Sequence, residues 1–488
     1  MAGQLSLSGR ITPPGVFKTP AVFRAPEPTD RAKEKSVICK GQTPGVGVFV
    51  LGLILALGCS PAAAQARPST AKSGAKTNAA KPRAQAQITA NATEDATDSG
   101  QAPVETAPVD PRTEDIRVDV YDPGGEALAS FHKALAAAEA GKGQARIAWY
   151  GASHTAADLW SGQVRRVLQG RFGDAGHGYL LPYRWHGGYR HQDVVLKYAR
   201  GWKTHRHKLL NPVPIGDYGY GGVAISSDNP SHWFSVKTCT DNVCGRFAGR
   251  FEVWLRGSRK GGTLLVTIDG KEHAISTKRR RGGVIYKRFD FADGAHQIRA
   301  RPKGDGRVYV YGAVFERKGP GVIVDQMGIP GMRGKIQLHW ETAAWRDQLR
   351  RRDPHLVILA YGTNATGDKG APISRFVNQW RRVLERLKNA VPRASCLLVG
   401  PTDRPLKPDE EGVRAHRPRI DAVVAAQKRV AAEYGCGFWD AFAMMGGRGS
   451  MVRWVNAGLA GRDHVHLTRE GYELKAARFL DAILRGYK

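Results

Sequence analysis

Cysteine is scarce in this chain, with six in 488 residues and no C-x-x-C pair. That excludes a disulfide-built scaffold and offers neither a zinc ribbon nor a thioredoxin-like redox pair. No H-E-x-x-H occurs, and His205 with His207 sits in a basic stretch, KTHRHK, that repels a cation. No metal or cofactor is therefore expected. Acidic residues are also few, 44 against 74 Lys and Arg, for a net charge of +30. Such an imbalance favours a polyanionic neighbourhood: nucleic acid, anionic lipid or an acidic envelope polymer. The basic residues are scattered and no nucleic-acid module is recognisable, so a nucleic-acid partner is not expected.

The apolar run at 46–58, VGVFVLGLILALG, has 13 residues where a membrane span needs about 20. Basic residues precede it and the small-residue stretch SPAAAQA follows, the layout of a secretory signal with an A-x-A cleavage site at Ala64, Gln65 and Ala66. Cys59 leaves lipid attachment open. The expectation is an exported protein of the periplasm or cell envelope, with envelope association or a membrane tether through the N-terminal segment. From 67 to 112 Ala, Pro, Thr, Ser, Gln and Lys replace the large apolar residues, so this stretch reads as a disordered tether. In an oxidising compartment Cys239 and Cys244 could close a small loop, whereas Cys396 and Cys436 fall on buried strands and read as unreacted thiols.

Beyond the tether, strands and helices alternate. Strands are expected at 145–150, 321–326, 355–361, 395–400 and 436–441, and helices at 126–140, 373–390, 420–434 and 471–487, with a stripe of Ala156, Trp160, Val164 and Val167 after the first strand. Near-continuous apolar strands between amphipathic helices imply a parallel sheet covered on both faces. Between 176 and 320 the helical stripes vanish. Period-2 segments take over, with hairpins expected across Asp269-Gly270 and Asp293-Gly294. The organisation read from this is a leader at 1–66, a linker at 67–112, an α/β domain in two parts at 113–175 and 321–488, and an inserted β-rich domain at 176–320. Trp185, Tyr189, Trp202, Tyr218, Tyr220 and Trp233 in the insert are either stacking platforms for sugar rings or core.

In open parallel sheets, loops at the carboxyl ends of strands converge on one crevice. Four short motifs fall there. Gly151-Ala152-Ser153-His154 ends the first strand and puts the Ser153 hydroxyl where a helix begins. Gly328-Ile329-Pro330-Gly331 and Gly362-Thr363-Asn364 end the next two strands and offer backbone and amide N–H donors. Asp463-His464-Val465-His466 precedes the last helix, where a carboxylate three residues ahead of a histidine can fix its tautomer. Turn formation or capping explains each motif singly.

As an ordered set they resemble the SGNH hydrolases, the GDSL-like esterases, over about 145–175 and 321–487. The resemblance implies a flavodoxin-like three-layer α/β sandwich with a parallel sheet, plus an inserted, jelly-roll-like β-domain. It implies Ser153 as nucleophile, Asp463 and His466 as acid and base, and an oxyanion hole from Ser153, Gly331 and Asn364. Ala152 stands where the family's block has Asp, which removes no catalytic group. An insert at this point resembles bacterial envelope O-acetylesterases, whose substrates are acetylated peptidoglycan or exopolysaccharide. A glycan O-acetyltransferase and a non-catalytic glycan-binding protein remain alternatives.

Overall fold

The central layer is a five-stranded parallel sheet whose strands follow the order Gly321–Gly328, Gln144–Gly151, Leu356–Ala360, Ser395–Val399, Gly437–Trp439. These are described in a computed structural model covering residues 109–208, 216–240 and 245–487. The leader, nearly all of the 67–112 segment and Cys244 lie outside the described residues.

Parallel strands bury both faces, so alternate side chains of one strand must satisfy two different cores. The Gln144–Gly151 strand does this: Ile147 and Trp149 point to one, Ala148 and Tyr150 to the other. The Ile147 side is covered by the helices Ala129–Glu139, Leu159–Phe172 and Arg469–Leu484, where Trp149, Trp160, Trp439 and Phe479 pack edge to face. The Tyr150 side is covered by Ile373–Ala390 and Arg419–Glu433 and runs on into the core of the inserted sheets. This is the SGNH α/β fold.

The insert is two antiparallel sheets, one of six strands and one of five. Its last strand, Val308–Glu316, leads directly into Gly321–Gly328. A buried ionic cluster fastens it there. Arg352 donates to Asp325 of the central sheet at 2.7 Å and to Glu316 of the insert at 2.5 Å, while the Tyr220 hydroxyl donates to Asp325 at 2.9 Å. Burial alone would drive the Glu316 carboxyl up, but the two guanidinium groups of Arg352 and Arg146 hold it at about 2.

Three local expectations change. Thr263–Ile268 and Lys271–Ser276 do pair across Asp269-Gly270, but Val284–Gly294 and Gln297–Pro302 do not form a hairpin. The first pairs with Ala248–Arg256 and the second with Phe234–Thr238 and Thr263–Ile268, so Asp293-Gly294 marks where the chain passes from one sheet to the other. The stripe after the first strand is broken at Asp158, which is left-handed at φ 54°. Leu168 is buried there while Val167 is exposed. Finally, Cys396 and Cys436 are joined in a disulfide, because the parallel register that sets Leu397 beside Gly437 brings the two preceding residues to a Cα separation of 4.9 Å.

Candidate active site

The strand Gln144–Gly151 ends against a four-residue helix, Ser153–Ala156, whose first residue is Ser153. Its carbonyls are held from outside. The Gln326 amide donates to the Thr155 carbonyl at 2.5 Å, the Arg190 N–H to that of Ala156 at 2.9 Å, and the Gln192 amide to that of Ala157 at 3.0 Å. Asp158, fully buried, then accepts from Gln192 N–H, Ser161 and Arg165, and Arg165 reaches on to Asp193 of the insert. With Ala152 in place of a carboxylate, these neighbours support the loop. Close approach also requires glycine at 328, where a Cβ would stand 2.2 Å from the Ala156 nitrogen.

The segment Gly461–Thr468 supplies the facing groups. Asp463 Oδ1 accepts from the Val465 and His466 N–H groups, each at 3.0 Å, in a turn that puts His464 in the left-handed region at φ 53°. That turn swings the His466 ring back over the carboxylate, with Nδ1 2.6 Å from Asp463 Oδ2, and leaves Nε2 2.8 Å from Ser153 Oγ. Partial burial raises the Asp463 carboxyl, but the hydrogen bonds from His466 and Val465 outweigh it and hold the group below its ordinary value. Thr468 closes the segment by capping the last helix through Gly471 N–H. The chain here is a turn and not a strand, so His464 and His466 do not share a face.

The two glycine-bearing loops meet beside this line. Ile329 N–H donates to the Gly151 carbonyl at 2.9 Å, and Gly331, left-handed at φ 79°, presents its N–H without an acceptor among the described residues. The Asn364 amide donates to the Met332 carbonyl at 3.0 Å, which joins the third strand's loop to the second's. All five expected site residues thus lie on adjoining loops at one end of the sheet. A hydroxyl bonded to an imidazole whose other nitrogen meets a carboxylate can deliver an alkoxide to a carbonyl carbon and return the proton to a leaving group.

His154 went unnoticed in the sequence. Its Nδ1 is 2.8 Å from the Tyr472 hydroxyl, its ring centroid is 5.4 Å from that of His466, and burial pushes its pKa well below the ordinary value, which keeps it neutral. Of the six insert aromatics, Tyr189, Trp202, Tyr218 and Tyr220 are core. Trp185 and Trp233 are half-buried, under Arg206 and Arg299 respectively.

Residues 292–474 match the model of the GDSL-like Lipase/Acylhydrolase family. The match includes Gly331, Asn364, Asp463 and His466 and leaves Ser153 to the geometry. In fold and in the order of these residues the chain is similar to the SGNH-type ester hydrolases. Among solved structures, a peptidoglycan O-acetylesterase aligns with a TM-score of 0.62 at 24% identity, over 75% of this chain and 99% of that one. A family two carbohydrate esterase from Cellvibrio japonicus aligns at 13% identity over 60% of this chain and 99% of that one, with a TM-score of 0.24. No curated protein matches the chain.

Proposed function

We propose that the protein removes O-acetyl groups from an envelope glycan, peptidoglycan or exopolysaccharide, through an acyl-serine intermediate. The observation that carries this is the line Ser153, His466, Asp463, at 2.8 and 2.6 Å. His466 takes the Ser153 proton as Oγ attacks the acetyl carbonyl. The N–H groups of Ser153 and Gly331 and the Asn364 amide receive the oxyanion, and Asp463 keeps the imidazole in the tautomer that can accept. The imidazolium gives that proton to the sugar oxygen as its bond to the acetyl carbon breaks; water, deprotonated by the regenerated histidine, then attacks the acyl-serine, and acetate leaves as the proton returns to Ser153 Oγ. Since the side chains of Asp463 and His466 are half exposed, the site opens onto the surface as a polymeric substrate requires. The fold shared with a peptidoglycan O-acetylesterase favours a glycan ester over a small lipid ester. Export to the periplasm or envelope is part of this proposal, supported by the leader and by a disulfide that persists in oxidising compartments.

The test is acetate release from acetylated peptidoglycan and acetylated polysaccharide by the full chain and by Ser153→Ala. Loss of release with an unchanged fold is expected. Undiminished turnover in Ser153→Ala would overturn the proposal, and acetyl transfer to a sugar acceptor in place of free acetate would make the enzyme a transferase.

A further inference from the structure

We infer that a basic groove beside the Gly331 and Asn364 loops binds a carboxylate carried by the substrate polymer, so that the acetylated glycan is an acidic one. This rests on the esterase reading above and names the class of glycan. The groove has a volume of about 480 Å3, within the roughly 300–1,000 Å3 usual for ligand sites. Its walls include Arg333, Lys335, Lys369, Arg375 and Arg419, with Asp368 as the one carboxylate.

Its place follows from the chain. Arg333 stands two residues after Gly331, and Asp368 and Lys369 follow the turn that Asn364 begins. Arg419 donates to the carbonyls of Ala365 and Ala371, bracing that turn from the groove side. Arg404 connects the two regions: it donates to the Thr363 carbonyl at 3.1 Å and lies within electrostatic reach of both Asp463 and Arg333. A polymer whose ester carbonyl sits at Ser153 therefore has the groove next to it along the loops that hold the oxyanion.

Charge decides what fits. Arg333 is paired with Asp368. Arg419 spends its N–H groups on neutral carbonyls, and Lys335, Lys369 and Arg375 form no ion pair among the described residues. Several uncompensated cations in one concave wall repel one another unless an anion enters, and a carboxylate is the anion that bacterial glycans and their peptide substituents present at close spacing.

The decisive experiment compares wild type with the double variant Lys369→Glu, Arg375→Glu, both exposed and neither in the line of Ser153, His466 and Asp463. Substrates are an O-acetylated polyuronate, the same polymer after carboxyl reduction, acetylated peptidoglycan, and a neutral aryl acetate. The expected result is a KM on the acidic polymer raised about tenfold, and raised in wild type by added salt, with the aryl acetate and the carboxyl-reduced polymer unaffected. If peptidoglycan shows the same loss, its stem-peptide or lactyl carboxylates are a source the groove accepts; if it does not, the uronate is the source. Equal effects on the acidic and reduced polymers, or none on either, would overturn the inference. Binding of the acidic polymer to Ser153→Ala, by calorimetry with and without the groove substitutions, reads the groove independently. If the aryl acetate is not hydrolysed, the esterase reading fails while this binding result still stands or falls alone.

Discussion

The Asn364 side-chain amide donates one hydrogen to the Met332 carbonyl at 3.0 Å, one residue beyond Gly331. One N–H of the amide thus fixes its orientation, and the other is left for the oxyanion that the proposed mechanism places there. Removing one such donor costs about 100- to 1,000-fold in rate in comparable sites. Asn364→Ala is therefore expected to lower kcat by about that factor with KM little changed, measured on an aryl acetate. A loss confined to KM would show that Asn364 only binds substrate.

The two histidines of the Asp463 turn should separate cleanly. His466→Ala removes the group 2.8 Å from Ser153 and should cost several powers of ten in kcat. His464→Ala should keep most of the activity, and Asp463→Ala should fall between, since the imidazole remains but its tautomer is no longer fixed. Steady-state rates of the three variants at one pH check the order. A dead His464→Ala beside an active His466→Ala would reassign the base.

Lys475 lies buried behind His154, its ammonium 3.8 Å from the Trp160 ring centroid, and burial lowers its pKa to about 7 from the ordinary 10.5. Below pH 7 the lysine is charged in both folded and unfolded chains, so the full cost of burying the charge is present there. Between about 7 and 10.5 the unfolded chain holds the proton more firmly, and stability rises with pH; above that range the cost is gone. Lys475→Met should stabilise the fold by roughly 2 to 4 kcal/mol at pH 6, after discounting the attraction of the ring, with the gain shrinking toward pH 10. Urea unfolding at several pH values tests this. A pH-independent loss of stability would show that the ring outweighs desolvation.

Arg352→Ala should destabilise the fold by about 3 to 5 kcal/mol, because it leaves the Asp325 and Glu316 carboxylates buried without their guanidinium. Thermal unfolding of this variant should show the insert and the parallel sheet melting at a lower temperature. A change under about 1 kcal/mol would mean that Arg146 and Tyr220 alone satisfy the cluster.

Removing the Cys396–Cys436 disulfide by a double Cys→Ser change should cost roughly 3 to 4 kcal/mol from the chain entropy of the 40-residue loop it closes. Activity at low temperature should survive, because the bond lies at the start of the last two strands of the sheet, whereas Ser153 follows the end of the second. Denaturant midpoints with and without reductant read the effect.

How far the sequence foretells this depends on whether the signal is local. The helix Ile373–Ala390 has the bounds its 3.6-residue stripe predicts, and all five central strands fall within two residues of their apolar runs at each end. The Asp463 turn was legible because a carboxylate three residues from a histidine is a short-range geometry. The partner of Val284–Gly294 was not, since alternation fixes which face a strand buries but not which strand lies beside it. The Cys396–Cys436 bond escaped for the same reason: it follows from the register of two strands 40 residues apart. Nothing local in the sequence joins Arg352 to Asp325 and Glu316, which meet only when the insert and the sheet are brought together. Ser153 alone looked like a helix start, and only its long-range neighbour His466 gives it a chemical meaning.

The strand that carries the serine sits between Gly321–Gly328 and Leu356–Ala360, both of which follow the whole insert in the chain. Neither of its neighbours in the sheet exists when it leaves the ribosome. Its pairing must close a loop of well over 150 residues, an entropic charge that grows only slowly with length but places these contacts among the highest in sequence separation and hence among the slowest to form. The two antiparallel sheets, whose pairings are mostly internal to the insert, can collapse first and present Val308–Glu316 as the lead-in to Gly321–Gly328. Esterase competence is therefore a late event in folding, and an amide of Gln144–Gly151 should gain protection from hydrogen exchange after those of Ala248–Arg256.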